Sequence, residues 1–128
     1  MRLLVVDREQ AVREVIQDLL ADYEIEVRQA ASRGEAGLEL RRIAFDVLLC
    51  HLSMLREGGG WLIREGRRTR PGLRIVAMSA SGSRATPAEA DAMLQKPFTR
   101  AELLDALRKD SPPAPRPAAA SRAPTGLS

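Results

Sequence analysis

The sequence predicts an α/β protein: a doubly wound parallel sheet of five strands with helices on both faces. Two observations carry this. Apolar runs such as Leu3-Leu4-Val5-Val6 and Val47-Leu48-Leu49-Cys50 have no polar alternation, as expected of strands covered on both sides. Segments with helical apolar spacing separate these runs, and strands joined through helices are parallel.

Leu3–Val6 forms the first strand, ended by Asp7. From Gln10 to Leu20, the apolar residues Ala11, Val12, Val15, Ile16, Leu19 and Leu20 recur at helical spacing and define the first helix. Ile25 and Val27 alternate with charged neighbours, the pattern of a partly exposed second strand. Ser32-Arg33-Gly34-Glu35 reads as a capping box opening a second helix that carries Ala36, Leu38, Leu40 and Ile43. Val47–Cys50 is the third strand. Gly58-Gly59-Gly60 marks a loop or loose helix start, and Trp61, Leu62 and Ile63 lead into a basic third helix that ends before Pro71-Gly72. Ile75–Met78 is the fourth strand. Thr86-Pro87-Ala88-Glu89 combines a cap residue, proline at the first helical position and an acid, the opening of a fourth helix. Ala92–Gln95 is the fifth strand, and Thr99-Arg100-Ala101-Glu102 caps a last helix with an apolar stripe of Leu103, Leu104 and Leu107.

With 128 residues, 45% hydrophobic and 29% charged, the chain suits one globular domain, and 3% aromatic content leaves aliphatic side chains to fill the core. Residues 1–110 form that domain, whereas the Pro/Ala/Ser-rich residues 111–128 read as a flexible tail or linker. No apolar stretch approaches a membrane span, and Met1-Arg2 leads straight into a strand, unlike a secretion signal. The single cysteine, Cys50, excludes an internal disulfide and suits a reducing cytoplasm. The net charge of +3 owes two charges to Arg116 and Arg122 in the tail, which leaves 18 basic against 17 acidic side chains and weakens any nucleic-acid reading from overall charge.

Chemistry in such folds is read at the carboxyl ends of the strands. There, LLVVDRE, FDVLLCHLSMLREGG, VAMSAS and QKPFTRAELL occur in that order. Together they resemble the receiver domains of two-component response regulators, a CheY-like (flavodoxin-like) fold. The resemblance implies a role for each matching position. Asp7 takes the place of the first acid of the magnesium-binding pair, and Arg8 stands where the second acid is expected, beside Glu9. His51 occupies the place of the phosphoacceptor aspartate. Ser79 matches the switch hydroxyl, Lys96 the phosphate-contacting lysine, and Met93 the aromatic switch residue. Leu55 replaces a usual proline and Gly58 a usual aspartate. The stretch from Ser79 to Lys96 is about a helical turn shorter than usual, so the fourth helix should be shortened.

Receiver chemistry needs an aspartate that attacks phosphorus, with magnesium to neutralise the phosphoryl oxygens. Magnesium wants oxygen ligands, chiefly carboxylates. With the acceptor carboxylate gone and a ligand position taken by a cation, magnesium binding is expected to be weak or absent, and the domain is not expected to be an enzyme. Arg8 either enters the pocket to pair with Asp7 or Glu9 in place of the ion, or points to solvent. Lys96 is in a position to pair with Asp7.

His51 is readable as a phosphohistidine, a metal ligand or a pH sensor. The plainer reading, that it fills the vacated position, is preferred. Cys50-His51 is a poor metal pair because neighbours on a strand face opposite ways. Arg64, Arg67, Arg68, Arg70 and Arg74 cluster late in the third helix and its loop, where cations complement the helix dipole. No aromatic residues interleave with them, so nucleic acid is disfavoured. The triple glycine lacks the Gly-Lys-Ser/Thr ending of a phosphate-binding loop, and Trp61 is expected to be half-buried packing.

The preferred reading is therefore a phosphorylation-independent receiver that binds a protein partner, a histidine kinase or another signalling protein. A second reading keeps phosphotransfer, at His51, Glu57 or Asp46, although Asp46 begins its strand and belongs at the wrong end of the sheet. A third makes the remodelled pocket a sensor of a small ligand or of protons.

Overall fold

A computed structural model describes residues 1–80 and 90–108. Five strands, β1 (Arg2–Val6), β2 (Glu26–Ala30), β3 (Val47–His51), β4 (Arg74–Ser79) and β5 (Ala92–Gln95), form one parallel sheet in the order β2-β1-β3-β4-β5. The helices are α1 (Gln10–Leu19), α2 (Arg33–Arg42), α3 (Leu52–Arg56), α4 (Trp61–Thr69) and α5 (Arg100–Leu107). The fold is the doubly wound, CheY-like one expected from the sequence. The expected helix opening at Thr86–Glu89 with its shortening, and the domain boundary near residue 110 with its tail, lie outside the described residues.

Alternation along the strands builds two cores. Leu3, Val5, Leu49, Val76 and Met78 face α1 and α5, where Ile16, Leu20, Leu103 and Leu107 meet them. Leu4, Val6, Leu48, Cys50, Ile75 and Ala77 face α2, α3 and α4, where Ala36, Leu40, Met54 and Leu62 meet them. The central strands are buried on both sides, so their inner residues, Leu3–Val6, Val47–Cys50 and Ile75–Met78, are all apolar; β2, at the edge, alternates exposed and covered positions.

Three details differ from the sequence reading. The segment after β3 is a helix, α3, which the sequence presented only as the way into a loop; its Leu52, Met54 and Leu55 are all buried. Gly58 and Gly60 then turn the chain into α4 with φ of 63° and 82°, a left-handed region that favours glycine. At the start of α2, Ser32 Oγ accepts from the Glu35 backbone N–H, but the Glu35 carboxylate accepts from Ala31 N–H rather than Ser32 N–H, so the box is displaced by one residue. The Thr99–Glu102 box is complete in both directions. Finally, Val15 and Leu38, counted among the apolar positions of their helices, are 52% and 54% exposed. Among the described residues, no helix is long and apolar enough to cross a membrane.

Candidate functional site

Parallel strands bring their carboxyl ends to one edge of the sheet, and Asp7, His51, Ser79 and Lys96 gather there. Asp7 follows β1 and is 2% exposed. A buried carboxylate must be compensated. Its Oδ2 accepts from Lys96 Nζ at 2.7 Å and its Oδ1 from the Glu9 backbone N–H at 2.9 Å. The Asp7 carbonyl accepts from Arg13 Nη1 at 2.5 Å. Lys96 is positioned by its own backbone, which donates to the Ser79 carbonyl at 2.9 Å, and it precedes a cis peptide to Pro97. The pair expected between Lys96 and Asp7 is thus present, across 89 residues of sequence.

Arg8 does not join Asp7, whereas Glu9 shares Lys96 with it at longer range. Arg8 neither pairs with Asp7 or Glu9 nor stands alone in solvent. Its Nη2 meets Glu57 Oε2 at 2.9 Å, with both side chains partly exposed. The ion pair clasps the loop after β1 to the turn after α3. Glu9 is exposed and its carboxylate lies 3.9 Å from Lys96. The physical reason is geometric: at the end of a strand, consecutive side chains leave in different directions, so only Asp7 enters the interior.

His51 has a structural task that the sequence did not reveal, because it depends on α3. It is the N-cap of α3. Its Nδ1 accepts from the Ser53 backbone N–H at 3.2 Å and lies 3.0 Å from Ser53 Oγ. An Nδ1 that accepts this bond carries no proton, which leaves the neutral ring protonated at Nε2. The capping removes one of the unsatisfied donors at the helix start.

Ser79, 3% exposed, ends β4, and its Oγ is buried with no hydrogen-bond partner among the described residues. Met93 is half-buried in β5 and packs against the core under α2 and α4. Burial, with a smaller contribution from Asp7, pushes the Cys50 thiol above its usual range, so it behaves as a core residue. Asp46 lies at the opposite end of β3, where it accepts from Arg2 N–H at 2.7 Å and pairs with Arg70 at 2.9 Å.

Beside the Asp7–Lys96 pair opens a cavity of about 480 Å³, lined by His51, Lys96, Glu9 and the apolar Val12, Val15 and Phe98 among others. The apolar wall left no signal in the sequence beyond the place of Val12 and Val15 on the helix following Asp7. Magnesium, the ion that the family resemblance implies at these strand ends, takes oxygen ligands. The ion favours one or two free carboxylates with waters. Here Asp7 has both oxygens engaged, Glu57 is bound by Arg8, the exposed Glu9 carboxylate lies 3.9 Å from Lys96, and the other groups are a lysine and an imidazole. Among the described residues, no group of three or more His, Cys, Asp or Glu side chains is placed to hold a metal.

Comparison with known proteins agrees with the fold. Residues 3–108 match the response regulator receiver domain family. The DNA-binding transcriptional regulator NtrC of Azospirillum brasilense is 35% identical over 133 residues, spanning 94% of this chain and 27% of that protein. The chain therefore spans about a quarter of that relative's length. Among solved structures, chemotaxis response regulator CheY4 of Vibrio cholerae is 26% identical with a TM-score of 0.70, covering 83% of this chain and 94% of that one. A receiver domain protein from Clostridium thermocellum is 25% identical with a TM-score of 0.67, covering 83% and 90% respectively. This chain belongs to the response regulator receiver family. Receiver domains are signalling modules that interact with histidine kinases and other signalling proteins.

Proposed function

We propose that this receiver works without phosphorylation, presenting a constitutive surface to a protein partner. The observation that carries this reading is the closed Asp7–Lys96 pair, 2.7 Å long, at the head of a pocket where His51 occupies the end of β3. A phosphorylatable receiver needs a free carboxylate nucleophile and a metal. This pocket offers a carboxylate committed to a lysine and an imidazole committed to capping α3. The Arg8–Glu57 clasp supports the same reading, because it places a guanidinium where the family's second acid is expected and occupies Glu57 as well. The fixed ion pairs hold one conformation instead of two.

Exposing the full chain to acetyl phosphate and magnesium tests this. Intact mass should show no added phosphoryl group, and amide NMR should show no magnesium-dependent shifts at Asp7, His51 or Lys96. One specific observation favours a second reading, phosphorylation at His51: the buried, unpartnered Ser79 hydroxyl near Lys96 would serve a phosphoryl oxygen. An acid-labile phosphoryl adduct that disappears in His51→Ala would establish that reading and remove the first.

A further inference from the structure

We propose that the chain associates with a second copy of itself, head to tail, through the outer face of α1 in one copy and the outer face of α2 in the next. The two exposed aliphatic side chains of these helices, Val15 and Leu38, mark the surfaces. Each sits in the same helical pattern with opposite charge. On α1 the solvent-facing stripe runs Ala11, Val15, Asp18; on α2 it runs Gly34, Leu38, Arg41 and Arg42. A small residue, then an aliphatic one four positions on, then charge three or four positions beyond, share one face of a helix.

Three further observations give the pairing its occupant. In a parallel sheet wound on both faces, α1 and α2 run in the same direction on opposite sides. Copies stacked by translation therefore lay α1 against α2 in parallel, which sets Ala11 by Gly34, Val15 by Leu38, and Asp18 by Arg41 and Arg42. The cavity bordered by Val12, Val15 and Phe98 provides an apolar recess for Leu38, and an apolar side chain facing a pre-existing pocket elsewhere on the molecule is the usual origin of heterologous assembly. The charges are available. Asp18 and Arg42 make no side-chain hydrogen bond or ion pair among the described residues, whereas Arg41 is already shared with Glu65 at 3.1 Å. Apolar contact and the charge pairs hold the interface together, and the charges also select its register. Trp61, the single tryptophan, packs against Gly37 beside this surface and reports on it.

Sedimentation velocity on the full chain across a concentration series, in low and high salt, tests the proposal. The sedimentation coefficient should rise with concentration in low salt and fall back in about 0.5 M salt, where screening acts over only a few ångströms. Trp61 emission should change in parallel. Leu38→Ser, Arg42→Glu and Asp18→Arg alter exposed side chains, so the fold is retained, as circular dichroism will verify. Each should weaken association by about tenfold or more. The decisive sample is an equimolar mixture of Leu38→Asp and Val15→Asp, both at exposed positions. One supplies an intact α1 face and the other an intact α2 face, while the two altered faces oppose like charges, so the mixture should form a dimer and nothing larger. A wild-type chain that stays monomeric throughout overturns the proposal. So do variants that associate like the wild type, or a mixture that fails to recover the dimer.

Discussion

On one side of the sheet, α1 and α5 bury Ile16, Leu20, Leu103 and Leu107; on the other, α2, α3 and α4 bury Ala36, Leu40, Met54 and Leu62. The second layer is drawn together more tightly. A Cβ at Gly37 would lie 2.4 Å from the Trp61 ring, and one at Gly66 would lie 2.4 Å from Leu73, so glycines permit this close approach. Arg33 and Arg41 then lie over the Trp61 ring at 5.8 and 5.6 Å, and Glu65 is held between Arg41 and Arg68. The outer faces differ in sign. Helices α2 and α4 carry six arginines against three glutamates; α1 and α5 carry two arginines against four carboxylates. A nearly neutral domain is therefore polarised across its thickness. The lesson is that net charge says little about a surface once a fold has sorted charges by layer.

Truncating one core residue in each layer gives the largest expected effects. Leu62→Ala and Leu103→Ala, both fully buried, should each cost about 3 kcal/mol in urea denaturation. The double variant should equal their sum within about 0.5 kcal/mol, because the sheet separates the sites. Strong non-additivity would mean that the layers act as one packing unit. A smaller cost is expected at the strand ends. Lys96→Ala strands the buried Asp7 and should lose about 2 kcal/mol, whereas Asp7→Ala should lose less, because Lys96 retains Glu9 nearby. Equal losses in the two variants would show that Glu9 gives Lys96 no relief.

The smallest effect belongs to the basic layer alone. Hydrogen bonding from Arg41, assisted by Arg68, holds the Glu65 carboxyl below its ordinary range despite burial. A carboxyl lowered in this way contributes stability above its unfolded pKa of about 4.3 and loses it as pH falls through the lower folded value. Glu65→Gln should therefore lose less stability than the wild type between neutral and acid pH, measured by denaturation at several pH values. An unchanged acid limb would show that the two arginines leave Glu65 untouched.

Much of this was legible in the residues themselves. The apolar runs at Leu3–Val6, Val47–Cys50 and Ile75–Met78 can be satisfied only between two layers, and Thr99 to Glu102 writes a helix start that needs no tertiary help. The meeting of Asp7 and Lys96 followed once strand ends were ordered by the resemblance. Other features were not legible, because they depend on contacts distant in sequence or on an unrecognised element. Arg8 meets Glu57 across 49 residues, a pairing that no local pattern encodes. His51 caps a helix whose residues Leu52–Arg56 are too few to show a helical period. Val15 and Leu38 satisfy apolar spacing yet lie on the outer edges of their stripes, and helix rotation against the sheet, set by packing, turned them to solvent. The sequence by itself determined the alternation of strands and helices and the residues available at the strand ends, because periodicity and capping are local. Only the tertiary structure decided which charges pair, which face each helix shows and where the two signs of charge collect, because those depend on packing around a shared sheet.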